Sequence, residues 1–191
     1  MDPGLEARFV LAQAPIERVD WEPVYRELLP RVFRYFCYLV GEEPLAEDLT
    51  GETFKRAWRG RDRFRHELGA FSSWVFGIAR RVASEHFRHT KRASQYEVEV
   101  DVAEFDRGRT GRVSIDRSVE EAVRRNADFA RLGVLLAEMP ERERELVAMK
   151  YGAELTNRAI AGMTGLSETN VGTILHRTVG RLRTRWEVND G

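Results

Sequence analysis

Cysteine is almost absent. Cys37 stands alone in 191 residues, which excludes an intramolecular disulfide and any multi-cysteine metal centre. Flanked by Phe36, Tyr38 and Leu39, it reads as an inert core residue. Lysine is scarce too: 28 of the 31 basic residues are arginine, the side chain suited to planar, bidentate phosphate contacts. No run of about eighteen uncharged apolar residues occurs. The opening MDPGLEARF has neither a basic start nor an apolar stretch behind it, so no membrane insertion or secretion is expected, and a cytoplasmic protein is. Neither GxxxxGK[ST] nor GxGxxG is present, so no phosphate-cradling loop is expected. His86-x-x-His89 has helical metal spacing but lacks a third ligand, and the four histidines give no Ser-His-Asp order. The expectation is a protein without catalytic residues, metal or cofactor.

What is present is charge, unevenly spread. The formal net charge is zero. Residues 61–92 nevertheless hold eight basic against three acidic residues, net +5, and residues 158–191 hold five against three, net +2. Between them, residues 93–130 hold six against nine, net −3. Two basic patches divided by an acidic stretch suit a chain that meets polyanion at two places. With 42% apolar residues there is enough to bury a core, and the length allows one ordinary domain or two small ones.

Helical periodicity dominates the chain. Asp20 can cap a helix running to about Val40, with Pro30 inside it as a candidate kink. Pro44 fits the first turn of a second helix ending near Arg59, and Gly60–Gly69 reads as a basic loop. In the third helix Phe71, Trp74, Val75, Ile78 and Val82 form an apolar stripe. Residues 91–117 lack periodicity; EVEVDVAEFD within them reads as an extended linker. Ser118, with Glu121 three residues on, can cap the next helix, and Pro140 starts another, PERERELVAMKYG. The expected fold is all-α: two small helical domains, the second containing a helix-turn-helix, joined by an extended linker.

The helix-turn-helix lies in TNRAIAGMTGLSETNVGTILHRTVGRLR. Ala161 fits the helix crossing, Gly165 the turn, and Val171, Ile174 and Leu175 the underside of a second helix capped by Ser167. Its outward face then carries Glu168, Thr169, Asn170, Thr173, His176 and Arg177, with Arg181, Arg183 and Arg185 beyond. Short polar groups can read base edges and arginines can hold phosphates. In the first domain Glu47, Asp48 and Glu52 form an acidic face. The third helix sets Phe71, Trp74, Phe76 and Phe87 beside Arg80, Arg81, Arg88, Lys91 and Arg92, a mixture suited to single-stranded nucleic acid, although Phe71 and Trp74 also fit a core.

Taken in order, AEDL..ETF.RAW, DRF, F..W…IAR, the acidic linker, and LP.RERE…IA…GLS..NV…LHR…RLR resemble the ECF (extracytoplasmic function) sigma factors of the sigma-70 family, over about residues 20–187. The resemblance implies sigma region 2 at 20–92, an acidic linker at 93–117 directed toward the RNA exit path, and region 4 at 118–187, after an N-terminal extension of 1–19. It implies as partners core RNA polymerase, through the β′ clamp helices and β flap, promoter DNA, duplex at −35 and single-stranded at −10, and an anti-sigma factor. Carried over residue by residue, Asp48, Leu49, Glu52 and Phe54 bind polymerase. Arg63, Phe64, Arg65, His66, Trp74, Arg80, Arg81, Ser84 and Arg88 contact the −10 element. Ser167, Thr169, Asn170, Thr173, His176, Arg177 and Arg181 contact −35. The chain departs from the family pattern at Gly51 (usually Gln), Arg81 (usually Asn), Gly172 (usually Lys) and Ile174 (frequently Arg). The competing reading is a stand-alone helix-turn-helix regulator with an N-terminal helical sensor, which would need an apolar pocket in the first domain. A nucleic-acid enzyme lacks its metal-binding carboxylate cluster.

Overall fold

The computed structural model describes residues 21–64, 70–96, 128–129 and 131–188, with side chains of 93–96 left aside. The expected caps at Asp20 and Ser118, the extension 1–19 and the stretch EVEVDVAEFD fall outside them.

Helix α1 (Trp21–Val40) buries Leu28, Val32, Tyr35, Phe36 and Leu39, a spacing of three and four that sets one broad apolar face. Pro30 lies inside this one continuous helix, on its exposed side. Gly41 ends it in the left-handed region at φ 76°, donating its N–H to the Cys37 carbonyl at 3.0 Å. Helix α2 (Glu43–Gly60) has proline in its first turn, as the sequence predicts. Thr50 and Thr53 are buried on its inner face, and each hydroxyl donates to the carbonyl four residues back. A short 3-10 turn (Arg61–Arg63) leads toward α3 (Phe71–Tyr96), which buries Val75, Phe76, Ala79, Val82 and Ala83. These three helices form the first unit. Cys37 sits in its core, where burial, with Glu43 nearby, pushes the thiol up to about 12. It is therefore a packing group, not a nucleophile.

The second unit starts with a helical segment at 131–137, burying Leu135 and Leu136, followed by α4 (Glu141–Val147). The stretch expected as one helix beyond Pro140 instead widens into a π turn, Ala148–Gly152, closed by Ala153 N–H on the Ala148 carbonyl at 2.9 Å. Glu154 then takes φ 56°, a left-handed conformation that costs a non-glycine residue about 1–2 kcal/mol. Helices α5 (Asn157–Thr164) and α6 (Glu168–Val188) complete the unit.

A polar linker leads one to expect two units free to move apart, but here they meet. The π turn and α2 both pack on α1, and one apolar cluster runs from Leu28 and Phe36 to Leu146, Met149, Leu155 and Ile160. Among the described residues no helix is long and apolar enough to cross a membrane.

Candidate nucleic-acid interface

The turn of the second unit is built as the sequence predicts. The Thr156 hydroxyl accepts the Ala159 N–H at 3.1 Å and starts α5. Gly165 ends it at φ 74°, its N–H on the Ala161 carbonyl, and the Ser167 hydroxyl accepts the Asn170 N–H at 3.2 Å to start α6. Val171 and Leu175 are buried beneath α6, with Ile174 half-buried beside them. Ile174 thus packs inward and offers no base contact. Gly172 also turns inward: a Cβ there would lie 3.5 Å from the Asn157 amide nitrogen. Ser167→Ala should lower the stability of the protein by about 1 kcal/mol. Thermal unfolding followed by circular dichroism checks this, and an unchanged midpoint would mean that the cap carries no weight.

On the outer face of α6, Thr169, Asn170, Thr173, His176, Arg177 and Arg181 are all exposed, and so is Ser167 at its start. Thr173 donates its hydroxyl to the Thr169 carbonyl at 3.0 Å and keeps its lone pairs outward. Arg181 differs from the rest. It is tied to Glu143 of α4, whose carboxylate also accepts the Thr178 hydroxyl at 3.1 Å. A phosphate at Arg181 must compete with that carboxylate, whereas Arg177 makes no ion pair with a described residue.

The first unit divides its candidates differently. On α3, Arg81, Ser84 and Arg88 are exposed along one face at near-helical spacing. With Gly77, Glu85 and Met163 they line an open groove of about 500 Å³. Arg80 belongs to the same groove but is held: its Nε donates to Glu145 at 2.7 Å and a terminal nitrogen donates to the Met163 carbonyl. Arg63 is exposed, while Arg65 and His66 lie outside the described residues. The aromatics of this region point inward. Phe64 is buried against Phe71 and Trp74, with ring centroids 4.8 and 5.6 Å apart, and Phe76 lies in the core. The mixture of aromatics and arginines on α3 is therefore an apolar face and a basic face, and Phe64 and Phe76 have no ring open to a base.

On α2 the acidic face is real but partly spent. Glu47 and Asp48 are exposed and make no ion pair with a described residue. Glu52 accepts from Arg56 at 2.8 Å and from Lys55 at 3.2 Å, which lowers its carboxyl below the ordinary value. Arg56 in turn reaches Glu85 of α3 at 2.7 Å, so Glu52 helps to brace α2 on α3. Leu49 and Phe54, carried over as polymerase contacts, are buried core residues that position the face. One more residue joins this face, Trp58, which continues the segment matched by Asp48, Leu49, Glu52 and Phe54. Trp58 is 47% exposed, with Arg61 stacked over its ring at 4.0 Å and Trp21 edge-on at 5.2 Å. Its spacing, Asp48-Gly51-Lys55-Trp58, places it on the same exposed face.

Comparison with known proteins agrees with this geometry. A sigma-70 region 2 family model matches residues 24–93, and a sigma-70 region 4 model matches residues 129–182. Over 159 residues the chain is 29% identical to the ECF RNA polymerase sigma factor BldN of Streptomyces coelicolor, covering 83% of this chain and 57% of BldN, less than two thirds of that protein's length. It is 24% identical over 171 residues to the ECF sigma factor SigM of Bacillus subtilis, covering 88% and 98%. Among solved structures, the sigma factor RpoE in complex with the anti-sigma factor NepR, from Bartonella quintana, shares the fold with a TM-score of 0.64 at 19% identity, over 88% of this chain and 98% of that one. CnrH, solved with the cytosolic domain of CnrY, shares it at 0.55 and 17%, over 87% and 84%. With regions 2 and 4 in order on one chain and a capped helix-turn-helix in the second, the chain belongs to the ECF sigma factors of the sigma-70 family.

Proposed function

We propose that this chain is the promoter-specificity subunit of a bacterial RNA polymerase, docking on core enzyme through α2, reading separated −10 strands with α3 and the −35 duplex with α6. The observation that carries this is the pairing, on one chain, of a recognition helix with an exposed polar and arginine face and a second helix with a basic groove, each held on its own helical unit. A stand-alone regulator needs a ligand pocket in the first unit, but its centre is filled by Val32, Phe36, Phe54 and Phe76.

The units so assigned are residues 20–92 and 118–187, with 93–117 between them. Asp48, Glu47 and the exposed Trp58 face the polymerase; Glu52, Leu49 and Phe54 hold that face in place. Arg81, Ser84, Arg88 and Arg63 meet the −10 strand. Asn170, Thr169, Thr173 and His176 read −35 base edges, and Arg177 and Arg181 hold phosphates. Since RpoE was solved with the anti-sigma factor NepR, an anti-sigma factor is the corresponding regulatory partner for this chain. The chain contributes binding energy and strand separation, and the polymerase performs the chemistry.

Run-off transcription from a pooled genomic template, with core polymerase alone and with the protein added, tests the reading. New discrete start sites are expected only when both are present. A protein that shifts duplex DNA by itself and leaves initiation by core enzyme unaltered would establish the regulator instead.

A further inference from the structure

Arg181 already holds an anion. Its partner Glu143, on α4, keeps only 23% of its side chain exposed, whereas the Arg181 side chain on α6 is 59% exposed. The same carboxylate oxygen accepts the hydroxyl of the buried Thr178 at 3.1 Å, and Arg181 also reaches that hydroxyl at 3.5 Å. The carboxylate is thus the fixed member of the pair and the guanidinium the accessible one. Arg185, one turn on, pairs with Glu138 at 2.9 Å, but both side chains are more than half exposed. Water and salt screen such a pair, and it is worth little. Arg177, one turn earlier, makes no ion pair with a described residue.

A hydroxyl has one proton to give, and Thr178 gives it to Glu143. That bond holds the carboxylate against α6 with or without DNA. Arg181 can therefore turn to a phosphate only by leaving a largely buried carboxylate with one hydrogen bond and no counter-charge, a penalty that an exposed partner would not impose. There is an ionic consequence as well. Each arginine that newly neutralises a phosphate releases condensed cations and steepens the log–log salt dependence of binding by about 0.9. An arginine that exchanges one anion for another adds nothing, because the carboxylate it leaves gathers a cation in turn. Arg177 has no such carboxylate to leave.

We propose that Glu143 is a positioning residue of the DNA-reading helix: it holds Arg181 back from the DNA backbone and so limits the affinity of α6 for duplex of any sequence. The proposal rests on the reading of α6 as the −35 helix. Its effect falls on search and not on choice. Phosphate contacts strengthen every site alike, whereas the base-edge contacts of Asn170 and its neighbours separate one promoter from another. Non-specific duplex is in vast excess over promoters, so an arginine withheld from the backbone leaves less of the protein held away from its sites.

The test uses the full chain and a fluorescent duplex of random sequence, titrated at several salt concentrations. Glu143→Gln keeps an oxygen for the Thr178 hydroxyl and removes the charge. It should bind the duplex about tenfold more tightly at low salt, the size of one charge-assisted hydrogen bond, and its salt slope should steepen by about one. Glu141→Gln changes the net charge equally from the same helix, where Glu141 is exposed and makes no ion pair with a described residue. It should alter affinity by no more than about twofold and leave the slope unchanged. Arg181→Ala added to Glu143→Gln should remove the gain. Equal gains from the two glutamine variants, a gain that survives Arg181→Ala, or tighter binding at the wild-type slope would each overturn the proposal. Arg177→Ala tests the reading beneath it, and should weaken binding and flatten the slope by about one. If Arg177→Ala does so and Glu143→Gln changes nothing, the α6 reading survives and Glu143 loses its role. If Arg177→Ala changes nothing, the α6 reading falls and the proposal with it. Circular dichroism checks the fold of each variant. Should Glu143→Gln fail to fold, Arg181→Ala alone decides: it should flatten the slope by less than about half as much as Arg177→Ala, and an equal loss overturns the proposal.

Discussion

Asp48→Arg should abolish co-purification with core RNA polymerase and leave the protein folded. Asp48 is exposed on α2 and unpaired among the described residues, so nothing inside the chain depends on it, and a surface change of this kind shifts stability by no more than about 0.5 kcal/mol. At an interface the same reversal replaces an attraction with a repulsion, and charges that become buried against a partner are worth roughly 2–5 kcal/mol. Glu47→Arg should add to the effect. Glu52→Arg should behave differently, because Glu52 braces Arg56, which holds Glu85 of α3. That variant should lose thermal stability as well as binding. Affinity capture with tagged core polymerase, set beside melting curves for each variant, separates the two. Undiminished capture of Asp48→Arg would remove α2 as the docking face.

The second large effect concerns how the two helices share promoter choice. Asn170→Ala should change which −35 sequences are used, because each base-edge contact discriminates by about 1–3 kcal/mol. Arg177→Ala should weaken all promoters alike, since a phosphate carries no sequence. Arg181→Ala should do so more mildly, because Glu143 already holds that side chain and part of its charge is spent. Arg81→Asn should shift −10 preference only: Arg81 is exposed in the α3 groove, on the other unit from α6. Transcription from a template library randomised at both elements measures all four. A change confined to −10 usage for Asn170→Ala, or to −35 usage for Arg81→Asn, would reverse the assignment of the two helices.

Much of this molecule is legible in the order of its residues, wherever the cause is local. Helix periods, Pro44 in a first turn, the Ser167 cap, the left-handed Gly165 and the buried Val171 and Leu175 each depend on neighbours within a turn or two. Composition and spacing therefore reach the all-helical class, the helix-turn-helix and its exposed reading face. What the sequence could not determine is which side of a helix another element covers. The aromatics of α3 and its arginines are interleaved along the chain, and only packing turned Phe71 and Phe76 inward and left Arg81 and Arg88 out. Glu52 looks identical to Asp48 until Arg56 is placed four residues on and bridged to Glu85. The meeting of the units is the extreme case. Gly152 and Tyr35 are more than a hundred residues apart, and no local rule says that a glycine in a π turn will lie against the backbone of α1. Local geometry follows from backbone and capping energies that adjacent residues carry. Long-range contact depends on which surfaces meet once the chain has collapsed, and only the tertiary structure decides that.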